Sequence, residues 1–174
     1  MYQRLLIAVD SGALSRSAVS EGLALAKVHG AEVLFFHVVP NYVVPLSDMP
    51  LVGVPSVEEL GRESQRNGGR VLASAAAMAQ AQGVHSRGEL GSAVDAAECI
   101  AQAATEHRCD LIVIGSHGRT AVQRLIHGSV VTRLLTLTKL PLLVCKKSAD
   151  RSAHLDVVAP VPERQRASGA TLAA

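Results

Sequence analysis

Glycines with the spacing of a phosphate-binding loop lie in the segment from Gly115 to Ser129, which reads GSHGRTAVQRLIHGS. Gly115 and Gly118 form a G-x-x-G pair, and Gly128 and Ser129 follow after nine intervening residues. Glycine turns of this kind can direct several backbone N–H groups at one anion. We therefore interpret the segment as a phosphate cradle, against the alternative of two ordinary loop glycines and a helix-capping serine.

The cradle ends where a helical pattern begins. A helix start carries unpaired N–H groups and partial positive charge, which suit a phosphate, and the Ser129 hydroxyl can donate to a phosphate oxygen. Arg119 and Arg124 can neutralise phosphate charge, or they can be exposed loop arginines. We favour Arg119 as the assisting group. The predicted phosphate contacts are Gly115, Gly118, Arg119, Gly128, Ser129 and Val130.

The strands and helices that must position this loop are predicted from apolar runs that alternate with helical patterns. Continuous apolar strands separated by helices are typical of a parallel sheet that is covered on both faces. The third strand is short and polar, which favours an edge position. The predicted fold class is α/β, a single-domain open parallel five-stranded sheet of order 3-2-1-4-5, Rossmann-like, with helices on both faces. The expected strands are Leu5–Val9, Val33–Val39, Val84–Leu90, Leu111–Ile114 and Pro141–Cys145.

Several residues predict where the helices begin and end. Ser15 is expected to cap the first helix, and Gly30 to end it. Ser56 and Glu59 match a capping box for the second helix, in which Gly68-Gly69 can introduce a break. The helix after Ser129 is expected to pack on the sheet through Val130, Leu134 and Leu137.

Asp10 follows the first strand, and the glycine segment follows the fourth. In open α/β sheets ligands bind beyond the carboxyl ends of the strands, so both features are expected to face one crevice. An acid in this position can accept hydrogen bonds from ribose hydroxyls. The alternative is an aspartate that stabilises a turn or caps a helix. Because Asp10 and the glycine segment are expected to share the crevice, we favour the ribose ligand.

Composition excludes several classes of function. Aromatic residues make up only 2% of the 174 residues and the formal net charge is +2 without a basic run, which argues against a nucleic-acid partner. The three cysteines form no C-x-x-C pair and predict buried thiols in a reducing compartment. No apolar run is long enough to span a bilayer. We expect a cytoplasmic protein without membrane contact.

The motifs of dedicated catalysts are absent from the sequence. There is no G-x-x-x-x-G-K-[S/T] loop, no G-x-G-x-x-G fingerprint and no G-x-S-x-G elbow. His117 and His127 flank the cradle, yet Ser129 is better explained as a phosphate donor than as a nucleophile. We therefore predict no catalytic residues and no dedicated metal ligands.

The G-x-x-G, nine residues, G-[S/T] pattern after the fourth strand resembles the nucleotide-binding signature of universal stress proteins. Flanking words are similar as well, namely LLIAVD at 5–10, LFFHVV at 34–39, CDLIVIGSHGRT at 109–120 and LPLLVCK at 140–146. The resemblance covers residues 1–147, which we expect to form the nucleotide-binding domain. Residues 148–174 have the composition of a flexible extension.

The resemblance implies a ligand and an assembly. The ligand is ATP, or a related adenine nucleotide with Mg²⁺, contacted by Asp10 at the ribose and by the backbone of Val38 at the adenine. An apolar edge at strand 141–145 predicts a homodimer, and members of the family pair such strands antiparallel. A nucleotide-dependent switch or scaffold in the stress response is the leading hypothesis. The alternatives are a dimeric stress protein that binds no nucleotide, and a slow ATPase or nucleotidyl-transfer enzyme.

Overall fold

The structure is a computed structural model that describes residues 1–41, 56–115 and 130–146. Strands and helices alternate along these residues. The elements are β1 (Arg4–Ala8), α1 (Ala13–His29), β2 (Glu32–Pro40), α2 (Val57–Ala81), β3 (Ser86–Ala93), α3 (Ala96–Glu106), β4 (Leu111–Gly115), α4 (Val130–Leu137) and β5 (Leu142–Cys145). The predicted extension 148–174 lies outside the described residues.

The strands form one parallel sheet in the order β3-β2-β1-β4-β5. This confirms the predicted fold class, strand order and edge position of β3. The boundaries of β3 differ from the prediction, because the strand begins at Ser86 and continues to Ala93 opposite Pro40. Its extent follows the long partner strand β2, in which Val33 to Pro40 pair with Ser86 to Ala93.

Two apolar layers, one on each face of the sheet, make up the core. One layer joins alternate residues of the central strands to α1 and α2, and the other joins the remaining residues to α3 and α4. Leu5 and Ile7 of β1 belong to the first layer, whereas Leu6 belongs to the second. A strand that is buried on both faces needs apolar residues at consecutive positions, which explains its continuous apolar sequence.

Helix ends agree with the local signals at two positions. Gly30 has φ +65 and ends α1 in the left-handed conformation that glycine adopts without strain. Ser56 and Glu59 form the predicted reciprocal capping box of α2. The predicted break at Gly68-Gly69 is wrong, because α2 continues through both glycines. A Cβ atom on Gly68 would lie 2.6 Å from His37 Cδ2, so this glycine permits the close approach of α2 to β2.

The predicted packing of α4 is only partly correct. Leu134 is completely buried, but Val130 and Leu137 are 36% and 44% exposed. Val131 instead packs against the apolar layer beside α3. Leu134 is the one fully buried residue of this short helix, and Val131 packs beside it on the same apolar layer.

Candidate functional site

The carboxyl ends of β1 and β4 meet at one edge of the sheet. The two strands are neighbours, with Ile7 opposite Val113, so Asp10 and Gly115 both lie just beyond their paired residues. From β1 the strand order continues through β2 to β3 on one side of this pair, and from β4 it continues to β5 on the opposite side. This reversal of direction is a topological switch point, where open α/β sheets form ligand crevices. The sheet therefore brings Asp10 and Gly115 together.

Asp10 is held in a tight turn before α1. Its Oδ1 accepts a hydrogen bond from the Gly12 N–H at 2.7 Å, and its own N–H donates to Ser15 Oγ at 2.8 Å. Ser15 is therefore not the helix cap that its position predicts, and the cap residue is Gly12. The turn role considered for Asp10 is present in the structure. The turn engages one carboxylate oxygen of Asp10 and fixes the orientation of its half-buried side chain.

Val38 lies on β2 where that strand extends beyond β1. The Phe36 carbonyl accepts a hydrogen bond from the Val9 N–H at 2.9 Å, so the peptide groups of Phe36 face β1. Peptide groups alternate in direction along a parallel strand, and those of Val38 therefore face the same side, past the end of β1. Here backbone donors and acceptors are directed towards the crevice rather than towards a neighbouring strand.

His37 supports this edge in a way that sequence analysis did not reveal. Its Nδ1 donates to the Val9 carbonyl oxygen at 2.7 Å, which ties the last residue before Asp10 to β2. His37 therefore joins two neighbouring strands at the edge that carries Asp10. A histidine one residue before Val38 in an apolar strand was the available signal.

The start of α4 is linked by an ion pair to the start of α3. Val130 is the first residue of this helix, and Arg133 one turn later pairs with Asp95. Asp95 also caps α3, since its Oδ1 accepts hydrogen bonds from the N–H groups of Ala97 and Glu98. A single carboxylate thus links the beginnings of α3 and α4.

The other predicted phosphate ligands, Gly118, Arg119, Gly128 and Ser129, lie outside the described residues. So do Arg124, His117 and His127. Within residues 1–41, 56–115 and 130–146, no three or more His, Cys, Asp or Glu side chains are grouped to hold a metal ion.

The cysteines are poor candidates for nucleophilic chemistry. Burial raises the pKa of Cys109 to about 11, and burial also raises the pKa values of Cys99 and Cys145. The thiols therefore remain protonated near neutral pH, whereas the thiolate is the reactive form. Cys109 and Cys145 are buried as predicted, but Cys99 is partly exposed, and all three are free.

Comparison with known proteins relates the whole described domain to one family. Residues 1–146 match the model of the universal stress protein family. Universal stress protein MJ0531 of Methanocaldococcus jannaschii is 33% identical over 150 residues, which cover 84% of each protein. Universal stress protein YxiE of Bacillus subtilis is 30% identical over 149 residues, which cover 84% of this chain and all of that protein.

Solved structures share the fold. A universal stress protein family member from Burkholderia pseudomallei has a TM-score of 0.67 and 28% identity over 82% of this chain and 95% of that one. More distant neighbours, at 16–22% identity and TM-scores of 0.60–0.62, include a universal stress protein in complex with cAMP, one from Archaeoglobus fulgidus with dAMP and one from Arabidopsis thaliana with AMP. No helix in the described residues has the length and apolar character needed to cross a membrane. From the match over residues 1–146 and from these relatives, the chain belongs to the universal stress protein family.

Proposed function

We propose that this protein binds an adenine nucleotide, with ATP and Mg²⁺ as the favoured form, and acts as a nucleotide-dependent switch or scaffold in the cytoplasmic stress response. The observation that carries the proposal is the pairing of β1 with β4, which brings Asp10 and Gly115 to the same edge of the sheet. Members of the same fold with cAMP, dAMP and AMP support the ligand class.

In this proposal each end of the nucleotide meets a different strand. The Val38 peptide group contacts the adenine, since its donors and acceptors face past the end of β1. The carboxylate oxygen of Asp10 that does not bond to Gly12 contacts the ribose. Phosphates lie against the glycine segment and the start of α4. The phosphate ligands are Gly115, Gly118, Arg119, Gly128, Ser129 and Val130, and catalysis is not part of the proposal.

The test is the thermal midpoint of the purified protein with and without Mg²⁺-ATP, beside a Gly118→Val/Gly128→Val variant. Bulky side chains at the two glycines would fill the space that phosphate needs. A ligand at about a hundred times its Kd stabilises by roughly 2.7 kcal/mol, a shift of several degrees for a domain of this size. We expect this shift in the wild type and its loss in the variant.

Two further measurements separate the alternatives. Replacing ATP with AMP or cAMP shows which adenine nucleotide binds best. Release of phosphate from ATP above background, with loss of this activity in a Ser129→Ala variant, would favour the slow ATPase. A Gly69→Ala variant is the control for glycine replacement, since, apart from the surrounding backbone of α2, no atom of the described residues lies within 4 Å of the added Cβ position. It should retain the full ATP response. A wild-type protein without any nucleotide response would contradict the proposal and favour the dimeric scaffold.

The exposed edge of β5 carries the proposed homodimer. The Ile112 N–H of β4 donates to the Pro141 carbonyl at 3.0 Å. Peptide groups alternate along the strand, so those of Leu142 and Val144 face the open edge. No strand among residues 1–41, 56–115 and 130–146 pairs with this outer edge, and an apolar strand with unpaired peptide groups is a template for pairing with another strand. We propose that a second copy of β5 pairs here in antiparallel orientation.

Replacement of Val144 with Pro tests the dimer without removing a hydrogen bond inside the sheet. Proline lacks only the outward N–H, and proline is tolerated at such edge positions. We expect the Val144→Pro variant to be a folded monomer by sedimentation equilibrium and circular dichroism. Val144→Ala is the matched control, because it trims the same side chain and keeps the N–H, and it should remain dimeric. A monomeric wild type, or a dimeric proline variant, would rule out pairing through this edge.

A further inference from the structure

A second cleft lies on the face of the sheet opposite α3 and α4. It opens between α1 and α2, has a volume of about 190 Å³, and is separated from the start of α4 by the sheet. The floor is formed by apolar side chains of β1, α1 and α2 that belong to or pack against the core. These are Val9, Val19, Val71, Ala75 and Met78.

Two arginines from different helices line this cleft. Arg16 belongs to α1 and Arg70 to α2, and both side chains are exposed. Neither makes a hydrogen bond or ion pair with another residue in the part of the chain that the structure describes. The hydroxyl-bearing residues Ser11 and Ser74 also line the cleft. Asp10 is the only acidic residue among its described lining residues, and one of its oxygens is engaged by Gly12.

We propose that the cleft between α1 and α2 binds a small molecule that combines one aromatic ring with one phosphate or carboxylate group. A cavity of about 150 Å³ with apolar walls accommodates benzene, so this floor has the size for one ring. The guanidinium groups of two arginines that line the same cleft can each bind an anionic oxygen through charge-assisted hydrogen bonds. The site is additional to the nucleotide crevice, since the apolar floor belongs to the α1 and α2 layer and the phosphate loop leads to α4.

The experiment titrates phenyl phosphate into full-length ¹⁵N-labelled protein and follows the amide resonances, with and without saturating Mg²⁺-ATP. We expect saturable shifts for residues of α1 and α2 around Arg16, Arg70 and Ser74, with a Kd of about 1 mM or lower. Inorganic phosphate lacks the ring and phenol lacks the anion. Each should bind at least about tenfold more weakly, because each loses one of the two interactions.

The Arg16→Gln/Arg70→Gln variant should bind phenyl phosphate at least about tenfold more weakly. Lys27→Gln is the matched control, because it removes a positive charge from the exposed far end of α1, and its affinity should equal that of the wild type. Equal binding of inorganic phosphate, retention of affinity in the double arginine variant, or displacement by ATP would each overturn the proposal. If the protein fails to respond to ATP, the comparisons with inorganic phosphate, phenol and the double arginine variant still test the cleft, so the two proposals can fail separately.

Discussion

Replacement of Leu134 with Ala is expected to lower the free energy of unfolding by about 2–5 kcal/mol. Leu134 of α4 is completely buried in the apolar layer that also contains residues of α3. The substitution removes buried methyl and methylene groups and leaves a cavity, because α3 and the sheet can relax only in part. Since Leu134 is the one fully buried residue of an eight-residue helix, its loss should weaken the docking of the entire helix. Urea denaturation measures the change as a lower transition midpoint.

The adjacent Leu135 provides the matched control. Its side chain is 63% exposed, so Leu135→Ala makes the same chemical change on the same helix without opening a cavity. We expect an effect within about 0.5 kcal/mol. Equal midpoints for the two variants would show that α4 does not dock through Leu134, and the position assigned to the helix start at Val130 would then lose its support.

Replacement of Gly91 with Ala is expected to destabilise the protein by about 1–3 kcal/mol, although it adds only one methyl group. A Cβ atom at this position would lie 2.6 Å from both Cys99 Sγ and Phe36 Cζ. Phe36 is buried in the layer that β2 shares with α3, so its ring cannot move away without disturbing that packing. The variant should unfold at a lower urea concentration. Gly91 also pairs with Val38, the proposed adenine contact, so strain here would act next to the crevice.

Gly69→Ala makes the same change with the opposite expected sign. Gly69 lies inside α2, and in the part of the chain that the structure describes no atom beyond the surrounding helix backbone is within 4 Å of the added Cβ. Alanine favours the helix and restricts the unfolded chain, so stability should rise by about 0.5–1 kcal/mol. If Gly91→Ala also stabilised the protein, the close contact between β3 and α3 would be wrong. The pair therefore distinguishes steric fit from the general effect of replacing glycine.

The proposed sites divide the carboxyl edge of the sheet into two faces. The nucleotide crevice uses the strand ends and the start of α4, whereas the cleft of Arg16 and Arg70 uses α1 and α2. Asp10 borders both, because its turn separates β1 from α1. A molecule bound in the cleft would therefore lie beside Asp10, the residue proposed to contact the ribose.

Features that depend on a few neighbouring residues were predictable from the sequence. Continuous apolar runs such as Leu111–Ile114 indicated strands buried on both faces, and together with the alternation of helices they predicted the parallel sheet. The left-handed Gly30 and the capping box of Ser56 and Glu59 are also local, because their hydrogen bonds close within about one turn of helix. The resemblance to universal stress proteins agreed with the role of Asp10 and added that of Val38.

Packing decided what the local pattern did not determine. Leu134 and Leu137 carry the same side chain, but Leu134 is buried in the layer that contains residues of α3, whereas Leu137 is 44% exposed. Ser15 looks like a helix cap in sequence, but its hydroxyl accepts the Asp10 N–H once β1 and α1 are in place. Arg16 and Arg70 are far apart in the chain and line one cleft only because α1 and α2 cover the same face of the sheet. Local hydrogen bonds and periodicity determined the elements of this protein, and only the tertiary structure decided which side chains meet, since that depends on the element lying opposite.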